Sequence, residues 1–426
     1  MNQAGVPESL LQRDGIVGIG ELSVLCMASF LVALSYGAGL PLLQPYLGAL
    51  QDAPAPTDVS WHVGTLGAVY MFSLFMFSPW WGRLSDSRGR VVVLQAGFLT
   101  FLIGTSVVAF SSSLLVAYVG RVLSGMGAAA IIPAAQAYIA DRSSADERGK
   151  RFVLIGSVTF LGLLSGPALG SWLAGPVMDM PVGNMPSMLP WPFFLILLVG
   201  VPVLLLMPRL LRSASPENRA RLDHSVSRQP WRRRFLLVSM LLAVLVSFAI
   251  GAFDVGFNLF GTQVLRFGSD VIAVMFIVCS VAMLGAQWLL VSPWIRQHLD
   301  HRGIAALFAL AAVALALAPF APGATALGLL IVVVATSAGM VTPVLSYELL
   351  ERDKAATGLV LGRQAAAGNL GQAIGALTAG VLYQAGPSVP FWFAAGVLLA
   401  GGLLAVSIWG SARAEEIRCC AAEGSR

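Results

Sequence analysis

Ser78-Pro79-Trp80, with Asp86, Arg88 and Gly89 behind it, returns later in the chain as Ser292-Pro293-Trp294, with Asp300, Arg302 and Gly303 behind it. All six positions are offset by 214 residues, about half of the 426-residue chain. Each copy closes one long apolar run and opens the next. A half-length repeat in an apolar chain implies two equivalent helical bundles with a pathway between them, an architecture suited to moving solutes across a membrane. The expected organisation is a first bundle over 1–208, a basic linker over 209–234, and a second bundle with a tail over 235–426.

Composition supports this reading. Hydrophobic residues make up 57% of the chain and charged residues 11%, against about 25% charged in ordinary soluble domains. A bilayer-spanning helix needs about 20 apolar residues. Twelve such segments are legible, at roughly 20–43, 62–84, 91–111, 114–140, 151–175, 190–211, 235–262, 270–294, 303–321, 324–350, 357–385 and 388–411. The runs lack the alternation of barrel strands, so the expected fold class is an all-α membrane protein of twelve transmembrane helices in two pseudo-symmetric six-helix bundles. The tightest boundaries are Ser111-Ser112-Ser113 and the stretch from Pro319 to Gly323.

Basic residues set the expected orientation. Of the 26 Lys and Arg, 23 fall on one side of the segment pattern. Arg266 falls in a loop on the other side, and Arg121 and Arg363 lie inside segments. The positive-inside rule then places both termini in the cytoplasm, with the chain multi-pass in a bacterial inner membrane. The net charge of +5 is topological on this reading and implies no nucleic-acid partner. The arginines of 209–234 suit anionic head groups of membrane lipids, at about 1 kcal/mol each near the surface; a regulatory binding site is the other reading of that loop. The first apolar segment is too long, and its flank too mixed in charge (Glu8, Arg13, Asp14, Glu21), for a cleavable signal peptide. Cys26 and Cys279 lie within helices and Cys419 and Cys420 in the tail, so no disulfide framework is expected.

Several motifs resemble a known family. Gly82-Arg83-Leu84-Ser85-Asp86-Ser87-Arg88-Gly89-Arg90, between the second and third spans, resembles the signature loop of the major facilitator superfamily. Gly39-Leu40-Pro41-Leu42-Leu43-Gln44-Pro45, Arg121-Val122-Leu123-Ser124-Gly125-Met126-Gly127 with Pro133, Tyr138 and Asp141, and Gly162-Leu163-Leu164-Ser165-Gly166-Pro167-Ala168-Leu169-Gly170 resemble motifs of its twelve-span drug:proton antiporters. Ser124 stands where that group usually has Gln, Ser171 where it has a further Gly, and Arg296 stands opposite Gly82 in the second copy. The resemblance implies a cavity lined mainly by the first, fourth, seventh and tenth spans. It also implies exchange of a small molecule for protons.

The motif residues carry physical expectations of their own. Asp86, taken to follow the end of the second helix among Arg83, Arg88 and Arg90, is placed to cap a neighbouring helix and pair with an arginine, as a conformational latch or as an ordinary interfacial connector. Gly162, Gly166 and Gly170 share one helix face and admit a second backbone, while Pro167 removes a donor and can kink the helix. Gly371, Gly375 and Ala379 form a similar face in the eleventh span, read as packing.

Asp254 is the acidic residue set well inside a predicted span. Charge at membrane depth usually faces a cavity or a partner, and a proton carrier must be charged in one state and neutral in another. Asn258 lies one turn on. Arg121 falls at a similar predicted depth in its own span, so the two form either a site or a buried structural ion pair. No acidic residue is found within 22–45, where the resembling antiporters often have one. Tyr36, Tyr70, Trp288, Gln136, Gln287, Asn369 and Gln372 are candidates for lining an amphiphilic pocket, and Tyr36 joins Asp254, Arg121 and Asn258 as a candidate for proton coupling or substrate binding.

Other signals are weak. His298 and His301 flank Asp300 in a loop, and no span pairs acids at metal-ligand spacing. Gly18-x-Gly20 lacks a third glycine and a strand, and there is no Walker loop. No cofactor and no enzymatic activity are expected. The leading expectation is a secondary transporter that exports a small amphiphilic molecule against protons. The alternatives are transport of a metallophore (a siderophore) or its iron or zinc chelate in either direction, and a transporter-like membrane sensor or accessory protein.

Overall fold

A computed structural model describes residues 17–50, 56–143, 145–178, 191–212, 230–289, 301–352 and 357–409. These form twelve α-helices. The first six are α1 (Ile19–Leu50), α2 (Pro56–Arg88), α3 (Arg90–Ala109), α4 (Leu114–Arg142), α5 (Ala145–Met178) and α6 (Trp191–Leu210). The last six are α7 (Pro230–Leu259), α8 (Ser269–Leu289), α9 (His301–Leu317), α10 (Ala324–Arg352), α11 (Thr357–Ala385) and α12 (Val389–Leu404). Among the described residues, ten stretches are long and apolar enough to cross a membrane. The apolar cores of α5 and α8, Leu154–Leu163 and Asp270–Ala286, are shorter. The second copy of the repeat from Ser292 to Asp300, most of the basic linker, and Cys419 and Cys420 lie outside the described residues.

Local chemistry sets the tight turns. Ser113 caps α4, its side chain accepting from the Val116 amide, which satisfies one of the donors a helix start leaves open. The turn after α9 is a short 3₁₀ segment, Ala318–Phe320. α7 ends in a π-turn over Phe260–Val264, and the Tyr383 hydroxyl of α11 donates to the Leu259 carbonyl just before it. A side-chain donor there answers a carbonyl at the break in the helical ladder.

Small residues decide which helices meet. A β-carbon added at Gly166 would lie 2.5 Å from the Ala38 amide nitrogen, and one at Gly170 2.7 Å from the Ala38 carbonyl oxygen. α5 therefore rides directly on the backbone of α1. Gly371 and Gly375 bring α11 closer still to the Val244 and Phe248 carbonyls of α7. The α1–α5 contact is thus matched by α7–α11. The contacts α3–α4, α2–α4, α3–α6 and α1–α6 are likewise matched by α9–α10, α8–α10, α9–α12 and α7–α12.

Between the first six helices and the last six, α2 packs along α11 and α5 along α8. Gly64 of α2 makes the first of these a backbone contact: a β-carbon there would lie 2.8 Å from the Ala376 carbonyl oxygen and 2.9 Å from Gly380 Cα. The outer faces are apolar. Leu115, Leu198, Leu329 and Leu403 are each at least 66% exposed, as helices facing hydrocarbon require.

Candidate functional site

The site begins at Arg121, buried in the second turn of α4. Four residues on, Gly125 would place a β-carbon 2.6 Å from the Tyr70 carbonyl oxygen. With no side chain there, α2 closes on α4 and the Tyr70 ring comes to rest beside Arg121, 5.9 Å from its guanidinium carbon. Gly39 of α1 supplies the remaining space: a β-carbon at that position would lie 2.5 Å from the Arg121 Nη2. The glycines of the Gly39 and Arg121 motifs therefore seat a single cation.

Tyr36, one turn before Gly39, stacks on Tyr70 with ring centroids 5.4 Å apart and an interplanar angle of 23°. Its hydroxyl accepts a 3.2 Å hydrogen bond from the Gln372 amide of α11. The same nitrogen donates to Asp254 Oδ2 at 3.3 Å. Asp254 is half-buried in α7. Tyr36 lies within electrostatic reach of both Asp254 and Arg121. The path from Asp254 to Arg121 thus runs through Gln372, Tyr36 and Tyr70, and it crosses from the last six helices to the first six. Asn258 is buried one turn further along α7.

Three of the uncharged pocket candidates, Tyr36, Tyr70 and Gln372, meet in this path. Trp288 does not belong with them, being 83% exposed at the end of α8. A large ring placed late in an apolar segment reads the same in sequence whether it faces a cavity or lipid.

The signature loop is more compact than the sequence suggests. Asp86 does not follow the end of the second helix: α2 runs through Arg88, so Asp86 lies inside it. The Gly89 amide still donates to the Ser85 carbonyl, continuing the helical ladder, and α3 begins at Arg90. Gly89 alone makes the turn, at φ 100°. Past it, Arg90 pairs with Asp141 at the end of α4 (Nε to Oδ2, 3.1 Å) and donates to Ser85 Oγ at 3.0 Å. Arg88 is exposed, and no side chain comes within 4 Å of where a Gly82 β-carbon would sit. The side chains of Asp86 and Pro167 lie outside the described residues.

A second polar cluster escaped the sequence reading. Glu21 had counted only as a flanking charge, yet it lies in the first turn of α1 and is 8% exposed. Its Oε1 accepts from the Tyr138 hydroxyl at 2.7 Å and from Arg142 Nη1 at 3.1 Å. Its Oε2 accepts from the Gly18 amide at 2.9 Å, and the Arg212 amide donates to the Tyr138 hydroxyl at 3.1 Å. One carboxylate so ties together the start of α1, the end of α4 and the exit of α6. The spacing of Tyr138 and Arg142, one turn apart on α4, was the available signal.

The chain as a whole resembles known proteins. The chain is 22% identical over 389 residues to Multidrug resistance protein 2 of Bacillus subtilis, covering 89% of this chain and 92% of that one. It is 23% identical over 387 residues to Quinolone resistance protein NorA of Staphylococcus aureus, covering 89% and 94%. The structure of a D-xylose-proton symporter superposes with a TM-score of 0.72 at 15% identity, over 91% of this chain and 97% of that one. The profile of the Major Facilitator Superfamily matches residues 25–352, most of the helical chain including both Arg121 and Asp254, and the protein is a membrane transporter belonging to that superfamily.

Proposed function

We propose that this transporter exports a small amphiphilic molecule in exchange for protons. Two six-helix halves, 1–208 and 235–426, would alternate access to a site between them, with twelve spans and with both termini and the 209–234 linker in the cytoplasm. The observation that carries the reading is the path Asp254–Gln372–Tyr36–Tyr70–Arg121. It joins one acid and one cation across the line between the halves, and two stacked phenol rings lie along it. A carboxyl at membrane depth suits reversible protonation. Aromatic faces beside it suit a substrate that is partly apolar and partly charged. The matched helix pairs support two equivalent halves. The names of the relatives, which refer to drug resistance, support export.

The test is purified protein in proteoliposomes with an imposed pH gradient and ethidium as the amphiphilic probe. Accumulation against the ethidium gradient is expected only while the proton gradient stands. Accumulation that persists after the gradient is collapsed would remove proton exchange from the reading. Proton-driven movement of a ferric siderophore in the same vesicles, with none of ethidium, would select the metallophore alternative.

A further inference from the structure

Gln372 holds an unusual position. Its backbone is fixed: a β-carbon at Gly251 of α7 would meet the Gln372 backbone, and Gly371 and Gly375 on either side press α11 onto α7. Its side chain reaches both α7 and α1. One amide nitrogen donates to Asp254 Oδ2 within the second half and to the Tyr36 hydroxyl of the first half. A rigid seam thus carries one group that touches both the candidate proton carrier and the opposite half.

That group responds to the charge on Asp254. A hydrogen bond to an ionised carboxylate is roughly twice as strong as one between neutral groups. With Asp254 charged, the amide nitrogen is drawn to it and held where Tyr36 can accept its second hydrogen. With Asp254 protonated, the acid becomes a donor. It then favours the amide oxygen, and the amide nitrogen turns away from both partners. The surrounding helices contribute the other titratable groups nearby. Cys279 of α8 lies within its electrostatic reach, and Tyr36, Tyr70 and Arg121 come from α1, α2 and α4. The α12 helix has no titratable side chain, and those of α10 are confined to its end from Tyr347 onward.

We propose that Gln372 is a positioning residue that locks the two halves together when the carrier is empty and Asp254 is charged, an inference that rests on the reading of Asp254 as the proton carrier. A proton releases the lock by neutralising Asp254. A substrate releases it by competing for Tyr36 or Gln372. The one form held in place is the form with neither, and this is the form whose movement would uncouple exchange. The lock therefore supplies a physical reason for obligatory exchange.

The experiment needs no substrate. Spin labels are introduced as non-natural amino acids at the exposed positions Trp61 of α2 and Phe320 after α9, leaving the native cysteines in place, and the label separation is measured in lipid nanodiscs against pH. In the otherwise unaltered protein the separation should increase as pH falls. Asp254→Asn, Gln372→Met and Tyr36→Phe should each show the low-pH distribution at every pH. Tyr36→Phe removes only the acceptor hydroxyl, so it carries the test if Gln372→Met does not fold. If Gln372→Met and Tyr36→Phe both follow pH as the parent does while Asp254→Asn does not, the lock is overturned and Asp254 remains the carrier. If Asp254→Asn follows pH, or the parent does not respond, the reading of Asp254 fails and the lock fails with it.

Discussion

Gly89 turns the chain between α2 and α3 at φ 100° and ψ 154°, a region that side-chain-bearing residues avoid at a cost of about 1–3 kcal/mol. Gly89→Ala should lower the thermal unfolding midpoint in detergent, whereas Gly82→Ala, with open space around it, should leave it unchanged. Asp254→Asn keeps the size but fixes the group in a neutral form. Gradient-driven accumulation should be lost while downhill exchange survives. Accumulation equal to the parent at matched expression would make the carboxylate structural. The sequence exposed Asp254 and Arg121 because a charge inside an apolar run costs free energy and therefore stands out. Tyr36 was named beside them, but Tyr70 and Gln372 could not be singled out from the other polar candidates. Their meeting depends on Gly125, Gly39 and Gly251 letting five helices (α1, α2, α4, α7 and α11) close together, which is information about packing and not about any one side chain. Glu21 was hidden for the opposite reason, since charges at the edge of a span are ordinary.

At the scale of elements, the repeated device is a helix that lends a glycine face to a neighbour's backbone. The faces themselves were legible in sequence, as Gly162-x-x-x-Gly166-x-x-x-Gly170 and as Gly371, Gly375 and Ala379. The helices that would fill them were not, because a glycine face fits any apolar backbone. The structure assigns α1 to the first and α7 to the second. Gly375→Leu would drive a side chain into the Phe248 carbonyl. Overpacking of this kind typically costs about 1–3 kcal/mol, and it should also displace Gln372, one turn away. The polar clamp at the other end of the first six helices behaves differently. Glu21 and Arg142 are each 10% exposed at the side chain. Glu21→Ala leaves a buried arginine without its carboxylate, a loss of about 3–5 kcal/mol where both groups are desolvated. The double variant Glu21→Ala, Arg142→Met should recover part of the lost thermal stability. Equal stability of the single and double variants would mean that Tyr138 and the Gly18 amide, not the ion pair, hold this corner.

At the scale of the whole molecule, the chain has a tight end and a question of which way that end faces. α2 runs from Pro56 to Arg88 and α11 from Thr357 to Ala385. Their close approach, at Gly64 against Ala376 and Gly380, lies toward the ends that carry Pro56 and Ala385. On the proposed orientation those ends would face outside, since Arg88, Arg90 and Arg142 cluster at the opposite ends. The structure would then be closed to the outside. Gly64→Leu inserts a wedge at the contact: the added carbons meet backbone on α11, which has no side chain to swing aside. The wedge should favour the arrangement in which these ends part. Ala376 is 3% exposed and sits under Gly64, so a cysteine there reports the parting directly. In intact cells, Ala376→Cys alone should resist a membrane-impermeant maleimide. Combined with Gly64→Leu it should react. Reaction only in inside-out vesicles would reverse the orientation drawn from the arginines and lysines while keeping the wedge argument. Failure to react from either side, in a protein that still reaches the membrane, would show that α2 and α11 absorb the wedge without separating and that the halves do not part along this seam.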